Sequence, residues 1–330
     1  MNYRNIILAI ACLLTSLSTI AQQSLQFNKK GQFKVVQFTD VHYKYDDQAN
    51  SQIALDRINQ VLDAEHPDVV IFSGDIVVSN DAFKGWDIVL DNCIRRKIPY
   101  GVVFGNHDDE YDRTRVELYD YVAAKKGCLM PTRKDDVPTD YVLTVKSSKD
   151  VKKNAALLYC IDSHSYTSIE SVPGYDWIKF DQIDWYRKQS KAFTSQNGGI
   201  PLPALAFFHI ALPEHREAIM EEKNVFFGTR GEGVCSPTIN SGFFASVKEC
   251  GDIMGVFVGH DHDNDYAIMY KEVLLAYGRY TGGNTVYNNL PNGARIIILQ
   301  EGKRSFESYI RSANIEKEHT VIYPNSFLKK

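Results

Sequence analysis

The chain has 330 residues, a net charge of −4 and no basic run of five or more residues, so an electrostatic nucleic-acid groove is not expected. An apolar share of 44% against 24% charged is ordinary for a globular protein, and the length allows one large domain or two medium ones. After residue 21 no stretch approaches the roughly 18 apolar residues that a membrane span needs.

The opening residues read as a leader. Arg4 supplies a short basic region, Ile6–Leu17 an apolar stretch and Thr19-Ile20-Ala21 a small-residue cleavage site before Gln22. These are the parts of a secretory signal peptide, so an exported protein, periplasmic or secreted, is expected. A lipoprotein anchored at Cys12 would cut the apolar stretch to about half. Beyond the leader remain Cys93, Cys128, Cys160, Cys235 and Cys250. Their odd number and the absence of CxxC argue against a disulfide framework or a zinc knuckle. Cys160 lies in an apolar run and reads as core, while Cys128 and Cys235 sit in loop-like sequence and could pair in an oxidising compartment.

The first strand is predicted at Phe33–Phe38, followed by a helix over Ser51–Ala64 with Ile53, Ile58, Val61 and Leu62 on one face. A Pro67-Asp68 break precedes the second strand, Val69–Phe72. A helical pattern over Asp81–Arg95 leads past Pro99 to the third, Val102–Phe104. This β-α-β-α-β order is that of a parallel sheet covered by helices, and right-handed crossovers bring its loops to one edge. A charged surface helix follows at Glu110–Lys125, then strands at Tyr141–Val145 and Ala155–Ile161 and a helix at Asp181–Lys191. Ala204–Phe208, a mixed run, reads as a strand, and Pro213–Glu222 begins with Pro where helices favour it. Ser241–Glu249 reads as a helix closed near Gly251, and Ile253–Val258 as a strand. Short strands at Tyr266–Tyr270, Glu272–Tyr277, Ala294–Gln300 and Ser305–Arg311 suggest a second, antiparallel-rich sheet. With no internal repeat, one domain over 22–318 is expected between the leader, 1–21, and a tail, 319–330.

Five short motifs close on metal-binding side chains where these runs end. They are Asp40-Val41-His42, Gly74-Asp75, Gly105-Asn106-His107-Asp108, His209 and Gly259-His260-Asp261-His262. Strand ends are where α/β proteins build their sites. Oxygen and imidazole ligands suit hard or borderline divalent ions, and a bridging carboxylate holds two cations close by offsetting their repulsion. Asp40, Asp75 and Asn106 with four histidines make such a set, while Gly74, Gly105 and Gly259 allow sharp turns at the strand ends. His66, His215 and His319 fall outside it, with His164 unassigned. Any one motif is weak, but five in fixed order point to one two-metal hydrolase site.

This order of motifs resembles the calcineurin-like metallophosphoesterase superfamily. The run Gly105 to Glu110, Phe207 to Glu214, Gly259 to Asp265, Gly174-Tyr175-Asp176-Trp177 and Gly231 to Pro237 are similar to its purple-acid-phosphatase-like subgroup. The resemblance implies a four-layer α/β/β/α sandwich of two mixed sheets flanked by helices. It implies two metal ions, Fe, Mn or Zn, the first held by Asp40, His42, Asp75 and His262 and the second by Asp75, Asn106, His209 and His260. It also implies phosphate-ester hydrolysis by in-line attack of a metal-bridging hydroxide, with Asn106 and His107 as catalytic residues and His107 as phosphate binder and acid. Purple acid phosphatases carry a tyrosine ligand three residues after the bridging Asp. Here that position is Val78, so a colourless protein is expected, and Asp108 is the candidate to orient His107. Tyr43, Tyr45, Arg230 and Glu232 are candidates to line the approach of a small phosphate ester. A monoesterase is favoured; a diesterase, including one for cyclic nucleotides, and a metal-bound but inactive exported binding protein are the alternatives.

Overall fold

The first third of the chain forms a parallel sheet because amphipathic helices separate its apolar runs. The computed structural model describes residues 24–133, 139–283, 290–312 and 316–328; the leader assigned to 1–21 lies outside them. A short β1 (Leu25–Gln26) precedes β2 (Gln32–Phe38) and α1 (Gln48–Glu65), which buries Ala54, Ile58, Val61 and Leu62. Strand β3 (Val69–Ser73), helix α2 (Ala82–Ile94) and strand β4 (Tyr100–Val103) complete the unit, with β2, β3 and β4 side by side and parallel. Helix α3 (Arg115–Ala123) starts later than its charged run suggests. A reciprocal capping box between Thr114 and Glu117 sets its first turn.

The second sheet is drawn from the middle and later chain. In order come β5 (Tyr141–Lys146), β6 (Asn154–Cys160), α4 (Phe180–Gln196), β7 (Ala204–Phe207) and α5 (Pro213–Met220). They are followed by β8 (Phe226–Phe227), α6 (Phe243–Cys250), β9 (Ile253–Val258), β10 (Ala267–Tyr270) and β11 (Val273–Tyr277). The strands run in the order β1-β5-β6-β7-β9-β11-β10-β8, and β6, β7, β9 and β11 are parallel to one another.

The late strands do not form a sheet of their own, contrary to the sequence expectation. Strands β10 and β11 extend the second sheet. Strands β12 (Ala294–Gln300), β13 (Phe306–Arg311) and β14 (Lys317–Tyr323) return to the first, in the order β14-β13-β12-β2-β3-β4. Strand β12 pairs antiparallel with β2 and so covers a parallel edge that would otherwise be open. The expected tail begins inside β14, where Val321 and Tyr323 are buried and Ile322 faces out. That alternation is too short to stand out in the sequence.

The two sheets pack face to face. Phe207 and Phe257 of the second stack with ring centroids 5.4 Å apart, and Phe257 meets Phe306 of the first at 5.9 Å. Helices α1–α3 share the apolar cluster of the first sheet, and α4–α6 cover the outer face of the second. This is the four-layer α/β/β/α sandwich. Among the described residues no helix is long and apolar enough to cross a membrane, and Cys128 and Cys235 are both free.

Phe257 joins the two layers on which the motif loops stand. Phe257→Ala is expected to cost about 3–5 kcal/mol, read as a lowered denaturation midpoint. A loss below about 1 kcal/mol would show that the layers are held elsewhere.

Candidate metal centre

Both sheets direct the C-terminal ends of their parallel strands to the same edge. Beyond β2 and β3 the pairing continues into the loops: the Asp40 amide donates to the Gly74 carbonyl and the His42 amide to that of Asp75, each at 3.0 Å. From the second sheet, the Gly259 amide donates to the His209 carbonyl at 3.0 Å, so the ends of β7 and β9 also travel together. Four candidate ligands sit in the left-handed region, Asp40 at φ 50°, His42 at 47°, Asp75 at 54° and His260 at 74°. Strained backbone of this kind persists only where its surroundings over-determine it. Gly74 does turn the chain, with φ 93°. Gly105 and Gly259 serve a different purpose from the turn expected of them: a Cβ there would collide with the Asp75 carboxylate and the Thr39 hydroxyl.

The folded chain gathers Asp40, His42, Asp75 and His262 into one group and Asp75, His209 and His260 into another, with ligand atoms within 4.8 Å of one another in each. Asp75 belongs to both. Its Oδ1 accepts the His107 amide at 2.9 Å, leaving Oδ2 between His209 Nε2 at 3.1 Å and His42 Nε2 at 3.7 Å. Asp40 Oδ1 lies 3.3 Å from His262 Nε2, and its Oδ2 accepts the Thr39 hydroxyl at 2.8 Å. Two donors about 2.1 Å from one ion stand roughly 3–3.5 Å apart, so most of these spacings suit a shared cation.

Orphaned atoms decide whether the residues fit metal. His209 donates Nδ1–H to the Ser73 carbonyl at 2.9 Å, so Nε2 is the nitrogen that presents a lone pair to a cation once its own proton is displaced. That nitrogen faces Asp75 Oδ2 without the alignment of a hydrogen bond, and both atoms are buried. His42 Nε2 and Asn106 Oδ1 are also buried without a hydrogen-bond partner. Such groups are costly to leave unsatisfied, and a cation at the convergence satisfies them together.

Charge points the same way. Burial opposes the Asp75 carboxylate, but His209 and His42 hold its pKa well below the usual range. Burial, and then the charge of His209, pushes His260 down to about 3. Burial opposes the His209 imidazolium, but Asp75 and Asp40 outweigh it and push its pKa up to about 9. In the metal-free chain a proton thus supplies positive charge that a cation supplies on binding.

His107 lies on the rim, its ring 6.0 Å from that of His42. Its partner is Glu110, whose Oε2 is 2.5 Å from Nδ1, and not Asp108 as the sequence suggested. Asp108 is buried and turned inward. It accepts the amides of Gly105 at 2.7 Å, Asp75 at 2.9 Å, Ile76 at 2.8 Å and Val77 at 3.1 Å, clamping two ligand loops together. The i, i+3 spacing of His107 and Glu110 was the available signal.

Of the candidates for the approach, Tyr43 is fully buried in the core and cannot meet a ligand, because its backbone pairs with Ile76 and Val78. Tyr45 is exposed beside Lys84. Arg230 is exposed and bridges through its backbone to Asn264, while Glu232 accepts the Asp263 amide at 2.7 Å near His262. His66 ends α1, His164 meets Gln182 at 2.7 Å, His215 is buried in α5 and His319 is exposed on β14. Unforeseen were Tyr166, whose hydroxyl takes an Asn106 N–H at 3.2 Å, and Ser163, whose hydroxyl accepts the His209 and Ile210 amides.

The sequence model of the calcineurin-like phosphoesterase family matches residues 33–264, more than half of the chain. A relative named probable inactive purple acid phosphatase 29, from Arabidopsis thaliana, is 31% identical over 91% of this chain and 85% of its own length. Phosphatase DCR2 of Saccharomyces cerevisiae is 30% identical over 78% of this chain and 49% of its own. Among solved structures, a dimetal phosphatase from Danio rerio superposes with a TM-score of 0.62 at 11% identity, covering 88% of this chain and 98% of that one. A purple acid phosphatase from yellow lupin gives 0.55 at 11% identity, over 89% of this chain and 54% of its own. At those identities the likeness is one of fold.

Asp108→Ala strands four buried amides, each costing about 1–3 kcal/mol. A lower unfolding midpoint and less metal retained after dialysis are expected, read by denaturation and elemental analysis. Wild-type values for both would contradict the clamp.

Proposed function

The chain belongs to the calcineurin-like phosphoesterase family, and on that premise we propose that it is an exported hydrolase of phosphate monoesters working with two metal ions. The observation that carries this reading is the Asp75 carboxylate, with one oxygen tied to the His107 amide and the other turned toward imidazoles from both metal groups. We assign Asp40, His42, Asp75 and His262 to one ion and Asp75, Asn106, His209 and His260 to the other. All donors are nitrogen or oxygen, which admits Fe, Mn or Zn.

When bound, such a pair supplies a water nucleophile at neutral pH and neutralises charge on the phosphoryl oxygens. The chain's own residues do the rest. Asp108 fixes the Asn106 loop against the Asp75 loop, so a phosphoryl group meets a preset geometry. Glu110 holds His107 through Nδ1, which leaves Nε2 to meet the leaving oxygen and give it a proton. His107 is partly exposed at the rim, where substrate and solvent can both reach it. We assign Glu232, which accepts the Asp263 amide beside His262, and the exposed Arg230 to the approach; Val78 stands where a tyrosine ligand would, so no tyrosinate charge-transfer band is expected.

A second reading has its own support. Relatives in Arabidopsis thaliana are named probable inactive, which favours a protein that holds metals without turnover. The intact His107–Glu110 pair favours turnover. A diesterase would use the same metal core, and the leader-like segment at Ile6–Leu17 supports export in every case.

Assays with an aryl phosphomonoester, its bis-aryl diester and a cyclic nucleotide, run with added Mn, Fe or Zn, separate these readings. Monoester turnover is expected to exceed the other two and to vanish on chelation. Asn106→Ala and His260→Ala should abolish it, and His107→Ala should lower it about 10²–10⁴-fold. Turnover by the metal-free protein would overturn the scheme, and none by metal-loaded protein would favour the inactive reading.

A further inference from the structure

The Gly174–Trp177 motif supplies none of the candidate metal ligands, yet it stands against one of them directly and against a second through Tyr166. Tyr175 presents its ring at 88° to that of His260, with centroids 4.4 Å apart. Tyr166 stacks on Tyr175 at 5.5 Å and 24°, and its hydroxyl accepts an N–H of the Asn106 amide at 3.2 Å. The two tyrosines face one another across a short antiparallel turn. The Thr167 amide donates to the Gly174 carbonyl at 3.1 Å, and the Asp176 amide to that of Ser165 at 3.0 Å. A second tie runs from the Ser165 hydroxyl to the Asn106 carbonyl at 3.2 Å.

This turn is anchored to the same strand end as Asn106. Arg115 donates to Asp162 through Nε at 2.8 Å and Nη2 at 2.6 Å, and through Nη1 to the Gly105 carbonyl at 2.8 Å. One guanidinium thus holds both the root of the tyrosine turn and the residue before Asn106. The pair touches Asn106 through the Tyr166 hydroxyl and His260 through the Tyr175 ring, both on the side of the site that holds His209.

We propose that Tyr166 and Tyr175 are positioning residues for one cation of the two, the one assigned to Asn106 and His260. The inference rests on the two-ion reading above. An amide ligand must offer oxygen and turn its NH2 away, and Tyr166 supplies an acceptor on the far side, which leaves the buried Oδ1 free of any hydrogen bond. Tyr175 fixes the tilt of the His260 ring in the same way that packing locks any ligand rotamer. The pair therefore sets the affinity of the Asn106–His260 ion and leaves that of the other unchanged.

The test is calorimetric titration of chelator-dialysed full-length protein with Mn²⁺. Wild type is expected to show two binding steps, and His42→Ala identifies the step that belongs to the Asp40 group. Tyr166→Phe keeps the ring and removes the hydroxyl, whereas Tyr175→Leu removes the stack. Each is expected to weaken the other step about 10–100-fold, with the His42-dependent step and the metal-free unfolding midpoint unchanged. If wild type takes up two ions and both variants match it, or weaken both steps alike, the inference fails while the two-ion reading survives. Fewer than two ions in wild type overturns both.

Discussion

Two carboxylates, Asp40 and Asp75, are buried side by side among four imidazoles, and most of the architecture around them follows from that. Unshared negative charge at such a depth is prohibitive, so it requires a positive partner. In the metal-free chain protonated histidines play that part, His209 above all. Two cations would do it with better geometry, because they also satisfy the bare His42 Nε2 and Asn106 Oδ1. The charge on Asp75 is what would let two cations sit close together, since a single oxygen faces imidazoles of both groups.

Holding these groups together requires backbone that few sequences tolerate. Four candidate ligands take positive φ, and two glycines are needed because any Cβ would strike Asp75 or Thr39. The compensation comes from ordinary hydrogen bonds placed beside the strained residues. Asp108 collects four amides, Ser163 collects two behind His209, and Arg115 binds the Gly105 carbonyl. None of these residues need touch a substrate. They turn a set of loops into a preorganised site, which is where the catalytic advantage of such sites arises.

Local signals were legible and distant ones were not. The apolar runs and their separating helices sufficed for β2 to β4, because each element is decided within its own window. The motif residues were legible because metal ligands come from a small set of residue types at strand ends. The return of β12–β14 to the first sheet was not, since pairing of residues as far apart in the chain as Arg295 and Gln37 leaves no local pattern. Nor was the role of Asp108, where an acidic residue beside a histidine suggests a partner but the fold turns the carboxylate inward. Tyr166 meets Asn106 across 60 residues of chain, and nothing in either segment announces the other. Tyr43 misled for a similar reason: its place one residue after His42 suggested the approach to the site, whereas pairing with Ile76 and Val78, in the loop after β3, draws it into the core.

Family membership and fold leave the substrate to the rim, where His107 and Glu110 meet solvent. The metal centre beneath is the premise for any of these roles. Diffraction from metal-soaked crystals at the absorption edge of the soaked ion tests it most directly. Two anomalous peaks about 3.5–4 Å apart are expected, with Asp75 Oδ2 between them and Asn106 Oδ1 on one of them only. A single peak, or none with a proton bridging His209 and Asp75, would contradict a dinuclear centre.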